Sequence, residues 1–597
     1  LRENILKLRY LLPAGDPFKL AILFLLMLVA AVLEVAGIGM IPVFVSIVAD
    51  PERVLSHPMV SEYLQLLNIN DAQGLLLWGS VALVAVFIIK SLYITAFHYF
   101  EARYIYNRRY YVSLRMMTSY MQAPYTFHLR RNTAELLRNI TSEVNILVNI
   151  ILTNCLKITK EAIITISILI FLLLVEPLIT LLVFLISGAG AGTFLLFTQK
   201  KIKQYGIEEQ QHRSNMIKAV NQGLGGIKDA RVLNREKEFI DKYGDEAYKS
   251  TRLLTYIRFV MQIPKPVVEV TAVIGMMLIA ALMIWQGRPM ASIIPILTLF
   301  AMATVRLMPS IQQMSSMYTT LRYNIVSLNP IYDDLKELEE YTSKLVEDRK
   351  KTGSMVLTET LAANNVTYQY PGSDETVLKE VSFTIPRGKA VAFVGSSGAG
   401  KTTMVDILLG LLTPAEGSVT VDGKNIETNL SAWQRNIGYI PQSIYLADEN
   451  LRCNIAFGLP EDEIDEGLIE NAVELAQLKH LVNQLPEGLD TMVGENGVRL
   501  SGGQRQRIGI ARALYHNPQV LVMDEATSAL DNITEREISS ALDALKGDRT
   551  IIMIAHRLTT VKNCDTLYLM EEGQITNSGT YEELLKTSSE FKKMAVT

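Results

Sequence analysis

The stretch Ala390-Val391-Ala392-Phe393-Val394-Gly395-Ser396-Ser397-Gly398-Ala399-Gly400-Lys401-Thr402-Thr403 decides how the second half of the chain is read. Five small or branched apolar residues predict a buried strand, the run from Gly395 to Gly400 a tight loop, and residues 404–412 an apolar helix. Strand, glycine loop and helix in that order make a phosphate cradle. Glycines let backbone N–H groups close around phosphate oxygens, and the helix N-terminus adds its partial positive charge. Lys401 is placed to reach terminal phosphates, with Gly395, Ser396, Gly398, Gly400 and Thr403 around them, and the Thr402 hydroxyl suits Mg²⁺.

Working outward, Val520-Leu521-Val522-Met523-Asp524-Glu525 is a second apolar strand, ending in two carboxylates. In-line phosphoryl transfer needs a held metal and a positioned water. Asp524 suits the first task and Glu525 the second. Between cradle and acidic strand lies Leu500-Ser501-Gly502-Gly503-Gln504, and with it the chain resembles the ABC ATPases. The resemblance extends to Gln442 in Ile440-Pro441-Gln442, to Ser528-Ala529-Leu530-Asp531, to His556, and to Tyr370 before Pro371-Gly372. It implies that Glu525, His556, Gln442 and Asp531 serve catalysis. It further implies that Tyr370 stacks on adenine, that Gln442 joins Thr402 and Asp524 at Mg²⁺, and that Ser501, Gly502, Gly503 and Gln504 face the ATP held by another chain. With one cradle and one such string per chain, the expectation is a homodimer with two equivalent ATP sites.

The first half has a different composition. Residues 20–48, 75–99, 146–175, 178–197, 267–285 and 293–308 are dominated by Leu, Ile, Val, Ala, Phe and Met. A helix crossing about 30 Å of hydrocarbon needs roughly 20 such residues. Six spans are therefore predicted. Cations cluster between the second and third (Arg103, Arg108, Arg109, Arg115, Arg130, Arg131, Arg138) and between the fourth and fifth (among them Lys200, Lys201, Lys203, Arg213 and Lys218). By the positive-inside bias both loops, and both termini, are cytoplasmic. Apolar residues at helical spacing through 104–121 and 240–260 predict that the spans continue as helices beyond the membrane. Pro124 ahead of 127–137, and Gly223-Leu224-Gly225-Gly226 opening 223–232, mark where these extensions turn. Between the first two spans, residues 51–67 place Val54, Leu55, Met59, Val60, Tyr63, Leu64 and Leu67 on one helical face, an amphipathic helix at the outer surface.

The expected organisation is a membrane domain over 1–330, a charged linker over 331–354 and a nucleotide domain over 355–597. The fold class is an α-helical six-span transmembrane domain fused to an α/β P-loop nucleotide-binding domain of the ABC type. Charge divides along the same line. Residues 1–330 carry 32 Lys/Arg against 21 Asp/Glu, net +11, whereas 331–597 carry 25 against 40, net −15, which add to the chain's −4. A polybasic nucleic-acid binder is excluded on that pattern. A mean hydropathy of +0.21 over 597 residues argues against a purely soluble enzyme. Three scattered cysteines give neither a disulfide framework nor a metal-binding spacing.

Six spans followed by one nucleotide domain resemble the half-transporter exporters over essentially the whole chain. Thr491-Met492-Val493-Gly494-Glu495-Asn496-Gly497 is similar to their X-loop, with Asn496 where many have Arg, and the two turns would be their coupling helices. Cargo is addressed by ions within the spans: Glu34, Lys90 and Arg306 lie inside the slab, and Lys157, Lys160 and Lys265 nearer its inner face. A buried ion costs several kcal/mol unless it is paired or lines a wet cavity. Glu34 and Lys90 could pair; Glu34, Lys90, Lys265 and Arg306 are the candidate substrate residues, and paired cations suit a phosphate or pyrophosphate headgroup. Leu33-Glu34-Val35-Ala36-Gly37-Ile38-Gly39-Met40, the outer amphipathic helix and these cations resemble lipid-linked oligosaccharide flippases of the PglK type. That resemblance implies a polyisoprenyl-pyrophosphate glycan moved across the inner membrane with ATP and Mg²⁺. A multidrug or lipid exporter is the alternative, with membrane lipids as neighbours in either case, and an ATP-gated channel on the same frame is the reading from a different class.

Overall fold

A computed structural model describes the chain except residues 1, 14, 50, 56–70, 288–289, 350–352, 495–496, 498–499, 525–544, 556–557, 559 and 597, with backbone alone for parts of 178–200 and 264–292. It divides into two units: residues 1–121 with 133–339, and residues 122–132 with 340–597.

The first unit is helical. After α1 (Arg2–Leu11) come α2 (Asp16–Ala49), the short α3 (Pro51–Leu55) and α4 (Ala72–Met121). The short α5 (Tyr125–Arg130) belongs to the second unit, and α6 (Thr133–Arg138) returns to the first. There follow α7 (Thr153–Val175), α8 (Pro177–Gly225), α9 (Ile227–Val232), α10 (Glu236–Gln262), α11 (Pro264–Trp285), α12 (Met290–Asn324) and α13 (Leu328–Arg349). Every predicted span falls within one of these helical stretches. Asp16–Ala49, Ala72–Met121, Thr133–Val175 and Ile293–Glu339 are long and apolar enough to cross a membrane among the described residues. Proline sets two entries: Pro177 and Pro264 stand in the first turns of α8 and α11, where the missing N–H costs no helical bond. The Glu176-Pro177 connection is the bare turn the sequence suggests, with Glu176 at φ −141°.

Residues 104–121 and 240–260 lie in α4 and α10, as the spacing of apolar residues predicts, and α8 likewise runs unbroken to Gly225. The turns differ in detail. Residues 127–137 split into α5 and α6, and the second break falls at Gly226 because Gly223 and Gly225 remain in α8. The sequence gives no hint of the π-helical turns at Asn139–Glu143 and Ile146–Leu152, which open the third span. Residues 331–354, read as a charged linker, are helical through Arg349, and Leu328, Ile331, Leu335 and Leu338 form a buried stripe at helical spacing. Of the outer amphipathic helix, α3 is seen; residues 56–70 lie outside the described residues.

Outside the 122–132 segment, the second unit has two sheets. β1 (Thr360–Gln369), β2 (Thr376–Pro386), β4 (Glu416–Val421) and β5 (Lys424–Asn425) form an antiparallel sheet ordered β2-β1-β4-β5. β3 (Ala390–Val394), β6 (Ile437–Ile440), β7 (Val520–Asp524), β8 (Thr550–Ile554), β9 (Thr566–Glu571) and β10 (Gln574–Gly579) form the other, ordered β10-β9-β3-β8-β7-β6 and parallel except at its β10 edge. Both faces of this sheet are covered. Val391, Phe393, Val520, Val522, Ile552 and Ile554 enter one core, and Ala390, Ala392, Val394, Leu521, Met523, Ile551 and Met553 the other. Hence β3, β7 and β8 are continuously apolar instead of alternating. The register Phe393↔Ile554 and Asp524↔Ile554 brings the end of β3 and the end of β7 to one edge, on either side of β8.

Asp422, in the turn between β4 and β5, ties the start of the unit down. It accepts from the Thr358, Glu359 and Thr360 amides at 2.8 Å each and from the Thr358 hydroxyl at 2.6 Å. Burial opposes the charge, but these bonds outweigh it and hold the carboxyl at about 2. Its ordinary value is higher, so the stabilisation is present above pH about 4 and is lost as pH falls toward 2. Acid titration of unfolding, followed by the fluorescence of buried Trp433, should show this component in the parent chain and not in Asp422→Asn.

Candidate functional site

The phosphate cradle begins where β3 ends. Gly395 takes φ 153°, and a Cβ there would overlap the Met570 carbonyl oxygen; at Gly400, φ 95°, it would lie 2.8 Å from Leu378 Cδ2. Glycine is required at both positions. Gly398, at φ 85°, has open space beside it. Residues 401–408 form α14 (Lys401–Leu408), so the first-turn amides converge on the loop. Lys401 Nζ donates to the Gly395 and Ser396 carbonyls at 3.0 and 2.8 Å, spanning the mouth of the loop. Thr402 is exposed beside it, whereas Thr403 is buried with its hydroxyl 3.0 Å from that of Tyr370. Tyr370 also meets Tyr368 edge-on, with centroids 5.1 Å apart, so its half-buried ring is fixed at the cradle's flank.

Asp524 ends β7 and is buried. On α14, burial and then the charge of Asp524 push the Asp406 carboxyl up to about 6. Tyr439, on β6, is pushed up by burial and by both carboxylates. Burial, followed by the charges of Asp406, Tyr370 and Asp524, raises Tyr125 of the 122–132 segment as well. Excess negative potential and an all-oxygen donor set fit a hard cation such as Mg²⁺. Asp406 was invisible as a site residue in sequence, since an acid on a helix after the cradle reads as a surface group. Gln442 is exposed in the loop that follows β6. Glu525, Asp531 and His556 lie outside the described residues, as do Glu495 and Asn496 of the X-loop-like string.

The Leu500–Gln504 string folds as a helix start. Ser501 caps α15 (Gly502–Leu514): its hydroxyl accepts from the Gln504 amide at 3.2 Å, and Gln504 Oε1 accepts from the Ser501 amide at 2.8 Å. This capping box leaves the amides of Gly502 and Gly503, without side chains around them, at a positive helix end.

The intramembrane ions of the first unit are brought together. Glu34 Oε2 lies 2.5 Å from Lys90 Nζ, and Glu34 Oε1 accepts from Arg306 Nε at 3.0 Å. Both Arg306 terminal nitrogens reach Glu161 Oε2 at 3.2 Å, and Ser310 Oγ donates to the same oxygen at 2.6 Å. Lys160 adds a contact to Glu161 at 3.4 Å. The cluster joins α2, α4, α7 and α12. The possible Glu34–Lys90 pair exists, and Arg306, which that pair seemed to leave over, has two carboxylate partners. Gly37 faces the pair, and a Cβ there would lie in ordinary contact with Lys90 Cδ at 3.5 Å. Among the described residues, three cations meet two carboxylates, so one positive charge remains in excess. Glu161 and Ser310 were missed in sequence, although an acid within an apolar helix carried the same signal as Glu34. Lys265 lies at the start of α11, apart from these partners in sequence, and its side chain lies outside the described residues.

These features recur in known proteins. Residues 20–308 match the ABC transporter transmembrane region and residues 378–528 the ABC transporter nucleotide domain. An ATP-dependent lipid A-core flippase of Haemophilus influenzae is 30% identical over 80% of this chain and 81% of its own. One of the same name from Pseudomonas aeruginosa is 33% identical over 60% of this chain and 58% of its own. A solved bacterial Atm1-family ABC exporter with ATP bound superposes at a TM-score of 0.70, at 23% identity, over 96% of this chain and 97% of that one. With spans, cradle and helix-capped string in the family's order, the chain belongs to the ABC transporters. It joins a helical transmembrane domain to an ABC nucleotide-binding domain and couples ATP hydrolysis to transport.

Proposed function

We propose that the protein is a homodimeric flippase that carries a lipid with an anionic, pyrophosphate-linked glycan headgroup from the inner to the outer leaflet of the inner membrane. The observation that carries this reading is the Glu34–Lys90–Arg306–Glu161 cluster, whose one excess cation per chain becomes two in a dimer. An ion at that depth is costly unless it is matched, and a phosphate diester or pyrophosphate matches bidentate Arg and point-charge Lys. The termini and the 122–132 and 223–232 turns are then cytoplasmic, as the loop cations favour.

In this reading ATP lies between the cradle of one chain and the Ser501-Gly502-Gly503 helix end of its partner. Tyr370 stacks on the base, Lys401 leaves the Gly395 and Ser396 carbonyls for the terminal phosphates, and Glu525 orients the attacking water, with Gln442, His556 and Asp531 around it. Thr402, Asp524 and Gln442 would hold Mg²⁺, which when bound neutralises charge on the phosphates. ATP-driven closure turns the cavity outward and hydrolysis resets it. The 122–132 segment, grouped with the nucleotide unit and bearing Tyr125 beside the Asp406–Asp524 pair, supports a coupling role for that turn.

A second reading, a lipid A-core-type cargo, is favoured by the names of the relatives. The experiment is ATPase stimulation of the full chain in lipid nanodiscs across pyrophosphate-linked glycolipids, lipid A-type lipids, neutral phospholipids and hydrophobic drugs. Pyrophosphate-linked glycolipids are expected to stimulate most strongly. Equal stimulation by uncharged drugs would remove the headgroup reading.

A further inference from the structure

The nucleotide unit contains a half-buried cation that the ATP site does not use. Arg512 lies on α15, three turns from the Ser501 cap. Its Nε donates to the Asn454 carbonyl at 2.8 Å, Nη1 to the Tyr445 carbonyl at 2.8 Å, and Nη2 to Asn454 Oδ1 at 3.3 Å. The guanidinium lies 4.4 Å from the Phe457 ring centroid. None of these partners is a carboxylate, and burial pushes the guanidinium's pKa down. A half-buried charge held by neutral acceptors acts through its shape, a planar fork that fixes several acceptors at once.

What the fork grips is the chain that follows Gln442. Asn454 is wholly buried, and its Nδ2 donates to the carbonyls of Ala447 at 3.0 Å and Asn450 at 3.1 Å, while Oδ1 accepts from the Ala447 amide at 2.9 Å. The loop is therefore stitched to itself by Asn454 and to α15 by Arg512. One turn earlier on the same face of α15, Ile444 fills the space that a side chain on Gly509 would occupy. Leu446 does the same at Gly497, where a Cβ would lie 2.6 Å from Leu446 Cδ1. Residues 444–454 and α15 thus interlock by a cation and by the glycine at 509, while Gly497, ahead of α15, gives way to Leu446.

We infer that Arg512 is a positioning residue for ATP hydrolysis: it makes the Gln442 loop and the helix headed by Ser501 one rigid piece, so that Gln442 is placed whenever Ser501, Gly502 and Gly503 are. The inference rests on the reading of Gln442 as a site residue. Lysine keeps the charge but has no fork, so it holds one carbonyl in place of the set.

The test is a double-mutant cycle on the full chain in nanodiscs, comparing the parent, Gln442→Ala, Arg512→Lys and the double variant, with ATP affinity and thermal unfolding measured on each. Arg512→Lys is expected to lower kcat roughly tenfold with KM for ATP within about twofold, since the cradle is built from other elements. If Arg512 acts through Gln442, the double variant is no more than about twofold slower than the slower single. Fully multiplicative losses, or an Arg512→Lys variant with parental kcat, overturn the inference. Parental turnover in Gln442→Ala overturns the Gln442 reading and this inference with it, a distinct outcome. Should Arg512→Lys fail to fold, Gly509→Ala strains the same lock from the Ile444 side, and its loss of kcat must likewise merge with that of Gln442→Ala.

Discussion

Replacing Glu525 with glutamine is expected to leave ATP binding within about threefold of the parent while lowering turnover by a factor of ~10²–10⁴, the usual contribution of a positioned acid–base group. The argument is topological. Asp524 closes β7 and shares its register partner Ile554 with Phe393 of β3, so β7 ends at the sheet edge from which the cradle loop also starts. A carboxylate there can orient a water and polarise it for in-line attack, whereas a carboxamide of the same shape keeps only the hydrogen bond. Binding is unaffected because Lys401, the Gly398 loop and Tyr370 are elsewhere. Equilibrium nucleotide binding and phosphate release on the same sample measure the two halves of the statement. Brisk hydrolysis by Glu525→Gln would assign the water to another residue.

The second large effect is expected in the membrane. Arg306→Ala removes the group that bridges Glu34 and Glu161, two carboxylates with side chains only 8% and 5% exposed. Breaking a buried pair from one side costs up to about 3–5 kcal/mol; here Lys90 and Lys160 still face Glu34 and Glu161, so the loss is chiefly that of the hydrogen bonds Arg306 makes between helices. Thermal unfolding in nanodiscs should register the loss. Arg306→Gln, which can hydrogen-bond both carboxylates without the charge, should recover much of the stability. Flipping of a pyrophosphate-linked lipid should stay lost in that repaired variant, while ATP hydrolysis without cargo persists. If repair of stability also restores flipping, Arg306 is a staple between helices and the anionic headgroup has to be met elsewhere.

What the sequence revealed and what it hid follow from the range of the interactions. The cradle, the Asp524-Glu525 strand and the Ser501 helix start are local patterns, each readable within about ten residues, and the described parts of all three form as read. The six spans are also local, since hydropathy over one helix length decides them. The partners of Arg306 are not local: they lie 272 and 145 residues away, and only packing of α2, α7 and α12 brings them together. The same holds for Asp406, whose unusual carboxyl depends on the neighbouring strand β7. The π-helical turns of Asn139–Glu143 and Ile146–Leu152 escape sequence reading because their apolar residues suit an α-helix equally well, and the extra residue per turn is settled by packing around them. Residues 331–354 show the opposite failing: their charges obscured the stripe of Leu335 and Leu338, which continues the buried face begun at Leu328.

The ion cluster also bears on how the membrane unit is made. A chain enters the bilayer in order of synthesis, and each charge it carries must be tolerated before its last partner exists. Glu34 and Lys90 sit on the first two spans and meet each other, so the first hairpin is neutral at that depth. Glu161 arrives on the third span with Lys160 adjacent, a local counter-charge that needs no other helix. Arg306 is on the last span and, like Glu34 and Lys90, has no charged residue near it in sequence. It reaches two carboxylates that are already in place, so the span that closes the bundle brings in the excess cation against groups able to receive it.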